Sequence, residues 1–287
     1  MKLGGKPFFI SAVGLDMAGN HLLEQWISTG FPIEGILQTQ DITTAVVCCV
    51  LDPNGEVAAG VAIIESIKSL TAEWIQQFRY EISSAPEAMV DANLNNRALE
   101  ASLAARDNIP LWFEPVSVAK SKNIASIVKY VTYVSPNEDE LFPMADALSP
   151  GKLYGLTERY KSEKNCLPES LIKMLKPTVI LLLEKGIKIF HDARQIEGTS
   201  RLFALHLPGL PASVKKLTGA GDCLVGATLT SICEGLNIIQ AISVGIAAAK
   251  ATVEADFNVP LRFDLIGVSD DARSVYSAAK VVYDGPV

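Results

Sequence analysis

The stretch Thr218-Gly219-Ala220-Gly221-Asp222 decides how this chain is interpreted. Small residues precede an aspartate and apolar residues at helical spacing follow, which predicts a tight turn that opens a helix. A helix start carries N–H groups without intrahelical partners, and glycine lets an anion approach them closely. An aspartate beside such an anion hole can accept a hydroxyl proton. The pattern therefore predicts phosphoryl transfer to an alcohol, although by spacing alone an ordinary helix cap fits equally well.

The composition argues against several other classes of protein. A chain of 287 residues with 49% hydrophobic residues can form one large α/β domain, and a net charge of −7 argues against a nucleic-acid partner. No apolar run reaches the roughly 18 residues of a membrane span, and the N-terminus lacks the apolar stretch of a secretory signal. Five scattered cysteines predict a reducing intracellular location, with the cytoplasm favoured and an organelle left open.

The order of apolar runs predicts two kinds of sheet. Three runs, at 35–39, 44–51 and 57–64, have no long helix between them, and the last two flank an Asp-Pro-Asn-Gly turn. We expect these runs to pair as an antiparallel sheet set apart from the rest. From Thr71 onward helices and strands alternate, which predicts a mostly parallel sheet covered on both faces, with ligands at the carboxyl ends of its strands.

Two further segments bear on a ligand site. Asn137 and Glu140 stand where a strand ends and a helix begins, and the pair alone fits a capping box. The runs 179–183 and 187–191 predict a hairpin around Glu184, Lys185 and Gly186.

The Thr218–Asp222 stretch resembles the C-terminal signature of the ribokinase (PfkB-type) sugar kinases. The resemblance implies a three-layer α/β/α fold, with residues 1–34 and 65–287 as the kinase body and 35–64 as a small β lid. It implies that Asp222 is the general base and that the backbone of Gly219, Ala220 and Gly221 stabilises the transferred phosphoryl group. Lids of this family often pair between subunits, so the resemblance also implies a homodimer formed through the lid.

The same resemblance implies ATP and Mg²⁺ as cofactors. Asn137 and Glu140 match the N-x-x-E motif of the family, whose glutamate orients water and Mg²⁺ near the phosphates. Gly186 matches one glycine of a segment that lines the nucleotide, and Thr218, Gly219 and Gly221 would contact ATP. The family usually has Asp-Thr before this signature, where this chain has Lys216 and Leu217. The change inverts a charge, so the need for a monovalent cation stays open.

Segments in the middle of the chain favour one class of substrate. The segments Val90–Leu94 and Glu114–Lys120, with the lid run Thr43–Val46, resemble the pseudouridine kinases within this family. The resemblance implies 5′-phosphorylation of pseudouridine, with Thr44 and Asp222 at the substrate. Two alternatives stay open: another sugar or nucleoside kinase of the ribokinase or adenosine kinase type, and a non-catalytic binding or dimerisation module.

The family's usual opening strand and glycine-rich segment have no counterpart before Met1. We therefore expect this chain to lack the first βα unit, which supplies a substrate-binding aspartate in the family. A missing anchor for the hydroxyl would lower turnover.

Overall fold

The computed structural model describes residues 2–52, 57–105, 109–150, 175–182 and 201–286. The chain divides into two compact units. Unit 1 comprises residues 1–70 and 207–280, and unit 2 comprises residues 71–206 and 281–287.

The elements alternate between strands and helices along most of the chain. The first half contains β1 (Ser11–Gly14), α1 (Met17–Ser28), β2 (Ile36–Thr39), β3 (Val46–Leu51), β4 (Val57–Ile63), α2 (Glu65–Lys68), α3 (Ala72–Gln76), α4 (Arg79–Ser84), β5 (Ala88–Asp91), α5 (Asn96–Ala105), β6 (Leu111–Glu114), α6 (Ile124–Ile127), β7 (Tyr133–Val134) and α7 (Glu138–Leu148). The second half contains β8 (Arg201–His206), α8 (Ala220–Cys233), α9 (Ile238–Val253), α10 (Leu265–Ala278) and β9 (Lys280–Pro286).

In unit 1, β1 pairs in parallel with β2, from Ser11 opposite Ile36 to Gly14 opposite Thr39. The expectation that β2 joins an antiparallel sheet with the two following strands is wrong. Ile36 is buried against Val13 and against Leu23 of α1, so the short strand gains more by closing this cluster than by extending an exposed sheet.

Strands β3 and β4 form the predicted antiparallel hairpin, with Val46 opposite Ile63 and Cys48 opposite Val61. Residues 53–56, at the predicted turn, lie outside the described residues. Directly opposed residues share a face of the hairpin, and successive residues alternate between faces. One face is thus lined by apolar side chains that are largely exposed, namely Val46, Val50, Val61 and Ile63. The assignment of residues 35–64 as a separate lid stays a prediction.

The helices α8, α9 and α10 form a layer packed through small residues. A Cβ atom added to Gly245 of α9 would lie 2.7 Å from the carbonyl oxygen of Leu224 in α8, so the two backbones approach closely. Ala247 of α9 packs against Val268 and Ala272 of α10. The last helix, α10, ends at Ala278, and the strand β9 follows it.

Unit 2 contains the predicted parallel arrangement. Strands β5, β6 and β7 lie side by side in that order, with Asp91 opposite Glu114 at their carboxyl ends. Phe113 and Leu99 are fully buried in the core beneath this sheet. Because parallel strands end at the same edge, the loops after β5, β6 and β7 meet there.

The predicted hairpin near residue 180 is wrong at its first strand. Residues 175–182 are helical, and Leu181 and Leu182 are buried. A short apolar run fits a buried helix and a buried strand equally, and burial in unit 2 decides for the helix. Residues 187–191 lie outside the described residues. None of the helices in the described part of the chain is long and apolar enough to cross a membrane.

Candidate active site

The start of α8 forms the turn that the Thr218–Asp222 stretch predicts. Gly219 precedes the helix with φ +90° and ψ −8°, a left-handed conformation that favours glycine. A Cβ atom on Gly219 would lie 2.0 Å from the carbonyl oxygen of Asn258. This position therefore requires glycine for two reasons: its own conformation and the close approach of another backbone segment.

Asp222 lies in the first turn of α8 and is exposed, whereas the adjacent Cys223 is buried. The N–H of Cys223 donates to the carbonyl oxygen of Gly219 at 3.0 Å and closes the turn. Burial raises the pKa of the Cys223 thiol, so this side chain anchors the turn as an apolar group. The helix start thus presents a carboxylate beside backbone N–H groups, an arrangement that can accept a hydroxyl proton next to a developing negative charge.

Lys216 stands where the family usually has an aspartate, and its side chain binds the main chain of this protein. The Lys216 ammonium donates to the backbone carbonyl oxygen of Asp256 at 2.6 Å. The neighbouring Lys215 pairs with the Asp256 carboxylate at 2.7 Å and holds the pKa of that carboxyl below its ordinary value. The Lys216 ammonium therefore links the segment before α8 to the segment after α9, both in unit 1.

Asn137 and Glu140 form a complete capping box at the start of α7 in unit 2. The Glu140 N–H donates to Asn137 Oδ1 at 2.9 Å, and the Asn137 N–H donates to Glu140 Oε2 at 3.1 Å. Burial raises the pKa of Glu140, and the bond from Asn137 offsets part of that rise. The capping role predicted from the residues alone is confirmed, and the nucleotide role stays a prediction.

The two segments that suggested the substrate class meet at the carboxyl ends of β5 and β6. Asp91 Oδ2 accepts from the Asn93 amide at 2.9 Å, and Asn93 Oδ1 accepts in turn from the Lys120 ammonium. The structure thus places the charge of Lys120 within a polar network beside the sheet edge.

A second network lies at the same edge. The Trp112 indole donates to Ser135 Oγ at 2.8 Å, and the Ser135 hydroxyl donates to Glu114. Val116, two residues after Glu114, has φ +66°. A β-branched residue in this left-handed region is strained, and such strain is concentrated at functional sites. Sequence analysis missed the strain at Val116 because nothing in the local residue pattern reports it.

Thr44, the predicted substrate contact, is buried, with 1% of its surface exposed. Its hydroxyl donates to Asp16 Oδ1 at 2.7 Å and accepts from the Gly14 N–H at 2.9 Å. Asp16 also caps α1, because its carboxylate accepts from the Gly19 N–H. The bonds from Thr44 and Gly19 hold the pKa of Asp16 below its ordinary value.

The predicted residues fall into two sets. Thr218 to Asp222 form one helix start in unit 1, which also contains Thr44, and Asn137 lies beside Glu140 in unit 2. Gly186 lies outside the described residues. Sequence analysis also missed Asn258, because its contact with Gly219 joins segments about forty residues apart and only folding brings them together.

Comparison with known proteins shows the family. Residues 1–256 match the pfkB family carbohydrate kinases. The chain belongs to this family, as predicted, and is a phosphotransferase with an alcohol acceptor.

Two relatives carry the same name. A pseudouridine kinase of Arabidopsis thaliana is 45% identical, over 98% of this chain and 86% of the relative. A pseudouridine kinase of Escherichia coli strain K12 is 25% identical, over 84% of this chain and 72% of the relative. Among solved structures, an Escherichia coli protein of the Ribokinase II type in complex with ATP and Mg²⁺ superposes with a TM-score of 0.70 at 15% identity, covering 95% of this chain and 85% of the other. At that identity the likeness shows the fold alone, and it confirms the ribokinase-like α/β/α class.

Proposed function

We propose that this chain transfers the terminal phosphoryl group of ATP to the 5′-hydroxyl of pseudouridine, giving pseudouridine 5′-phosphate. The observation that carries the proposal is the start of α8, where an exposed Asp222 stands beside a turn that only glycine can form. The 45% identity to a protein named pseudouridine kinase supports the choice of nucleoside.

In this proposal the residues of the Thr218–Asp222 loop have separate catalytic roles. The Asp222 carboxylate accepts the proton of the 5′-hydroxyl as the new O–P bond forms. The backbone N–H groups of Gly219 and Gly221 would stabilise the negative charge on the transferred group, aided by the positive end of the helix dipole. The expected third donor, the Ala220 N–H, instead bonds to the carbonyl oxygen of Leu217 at 3.2 Å and closes the turn. Thr218 leads into this turn and would lie along the phosphates. Thr44, through its bonds to Asp16, would hold the chain that borders the nucleoside.

Glu140 fits the expected contact with Mg²⁺ by its chemistry. A carboxylate oxygen is the ligand type that Mg²⁺ prefers, and Mg²⁺ usually keeps several waters and phosphate oxygens as its other ligands. One Glu140 oxygen accepts from Asn137, so the second oxygen can serve the ion or its water. When bound, Mg²⁺ would neutralise charge on the phosphates. Asn137 and Gly186 complete the proposed nucleotide contacts.

We also propose a homodimer formed through β3 and β4, because the face with Val46, Val50, Val61 and Ile63 exposes a contiguous apolar surface. Among the described residues, Cys48, Cys49 and Cys223 are free thiols, which supports work in a reducing compartment such as the cytoplasm.

The direct test is phosphate transfer from ATP with Mg²⁺ to pseudouridine, uridine, ribose and adenosine in parallel. We expect the highest kcat/KM for pseudouridine. A preference for ribose or adenosine would identify the alternative kinase types. Turnover of none of the four would favour a non-catalytic binding module and refute the proposal.

The assigned base has its own test. We expect Asp222→Asn to lower kcat by roughly 10²- to 10⁴-fold with little change in ATP affinity, because only the proton acceptor is lost. Glu234→Gln is a matched control, since it removes the same charge at the other end of α8. Near-normal turnover in Asp222→Asn would show that this carboxylate is not the base.

A further inference from the structure

Two lysine ammonium groups bind the backbone of one turn beside the Thr218–Asp222 loop. The turn, residues 254–260, follows α9. Lys216 donates to the carbonyl oxygen of Asp256 at 2.6 Å, and Lys2 donates to the carbonyl oxygen of Pro260 at 2.5 Å. Carbonyl oxygens gathered in a turn are ligands for cations, and here protein cations bind them.

The same turn lies directly against the anion-binding loop. The carbonyl oxygen of Asn258, two residues after Asp256, is so close to Gly219 that a Cβ atom there would lie 2.0 Å from it. A backbone hydrogen bond also joins the segment before the loop to the residue before the turn. The N–H of Lys215 donates to the carbonyl oxygen of Val253 at 2.8 Å. A shift of the turn would therefore release the contact that fixes Gly219.

Lys215 and Lys216 differ in what they bind. Lys215 pairs with the Asp256 carboxylate, and both side chains are more than half exposed, so this pair contributes little to stability. Lys216 is half-buried, and its ammonium binds the backbone oxygen of Asp256 through a hydrogen bond that is itself exposed. The two adjacent lysines thus contact one aspartate, but of these two side chains it is that of Lys216 that binds the main chain.

We infer that Lys216 is a positioning residue for phosphoryl transfer, whose ammonium acts as a built-in cation that holds the 254–260 turn against Gly219. The inference rests on the proposed function for its kinetic consequence and on the structure alone for its effect on the loop. As a positioning residue, Lys216 contacts no reacting atom. It acts through the turn, which keeps the N–H groups of the helix start in place for the transferred group.

The first test needs no substrate. Hydrogen–deuterium exchange of the amides in residues 217–224 is compared among the wild type, Lys216→Met, Lys216→Arg and the matched control Lys215→Met. We expect exchange to accelerate by about 10-fold in Lys216→Met, because local opening becomes easier, and to stay near the wild type in the other two variants. Unchanged exchange in Lys216→Met, or equal acceleration in Lys215→Met, would overturn the inference.

The second test is kinetic. We expect Lys216→Met to lower kcat by roughly 10- to 100-fold, as a misplaced anion-binding backbone would, while KM for the acceptor changes little. Added ammonium chloride should restore part of the loss, and Lys216→Arg should retain most of the activity. A loss that no cation restores would show that the aliphatic stem of Lys216 matters rather than its charge, which overturns the inference. If the wild type transfers no phosphate to any acceptor, the proposed function fails, and the exchange experiment still decides the role of Lys216.

Discussion

Replacing Gly219 by alanine tests the geometry of the candidate active site most directly. The new Cβ would lie 2.0 Å from the carbonyl oxygen of Asn258, whereas ordinary contact begins at 3.4 Å. Gly219 and Asn258 must therefore separate by about 1.4 Å to accommodate one methyl group. Backbone is present on both sides of the contact, so no side-chain rotation relieves the clash.

The magnitude follows from two costs. A side chain at φ +90° is strained by about 1–2 kcal/mol, and overpacking against a fixed backbone adds about 1–3 kcal/mol. Because the helix can shift to relieve part of the clash, we expect the free energy of unfolding to fall by about 2–4 kcal/mol. A displacement of about 1 Å at the anion-binding N–H groups can lower kcat by roughly 10²-fold.

Urea unfolding and steady-state phosphate transfer measure the two effects separately. Gly226→Ala is the matched control, because Gly226 lies within α8 and its Cβ would meet nothing within 4 Å. Alanine there should stabilise the protein by about 0.5–1 kcal/mol through helix propensity. If Gly219→Ala has the same urea midpoint of unfolding as the wild type and the same kcat, the loop accommodates the methyl group without cost. That result would refute the reasoning.

Two further predictions concern other parts of the chain. Glu87 Oε2 is buried without a hydrogen-bond partner among the described residues, and burial raises the Glu87 pKa from 4.5 to about 7. Between pH 4.5 and 7 the native state therefore keeps the Glu87 proton, whereas the unfolded state has lost it. As the pH rises across this range, the free energy of unfolding should fall by about 1–2 kcal/mol, a figure discounted for the partial exposure of the residue. Glu87→Gln should abolish that decrease. Val61→Asp on the apolar face of β3 and β4 should weaken the proposed dimer in sedimentation, because a desolvated charge is costly.

Each of these has a control in the same element or unit. Glu100→Gln, at an exposed position of α5, should keep the pH dependence of the wild type. If the free energy of unfolding still falls with rising pH in Glu87→Gln, another group causes the decrease. Val47→Asp places the same charge on the opposite face of the hairpin, opposite Ala62, and should leave the dimer intact. A monomeric wild type, or equal weakening by both substitutions, would contradict the predicted interface.

Local sequence determined the features that depend on a few neighbouring residues. The Asn137-to-Glu140 spacing predicts a capping box, and both of its hydrogen bonds are present. The glycines before Asp222 predict a turn that opens a helix, and the helix begins at Ala220. In each case the hydrogen bonds or dihedral angles that define the feature span four residues or fewer, so the local residue pattern suffices to specify them.

Features that depend on distant partners were decided by the tertiary structure. β2 pairs with β1 because Ile36 completes a buried cluster, and residues 175–182 are helical although the apolar run 179–183 also fits a strand. The sequence by itself determined the family, the helix start and the base candidate Asp222. Only the fold decided that Asn258 lies against Gly219 and that Lys216 binds the carbonyl oxygen of Asp256, because these contacts join segments about forty residues apart and depend on the packing of α8 against α9.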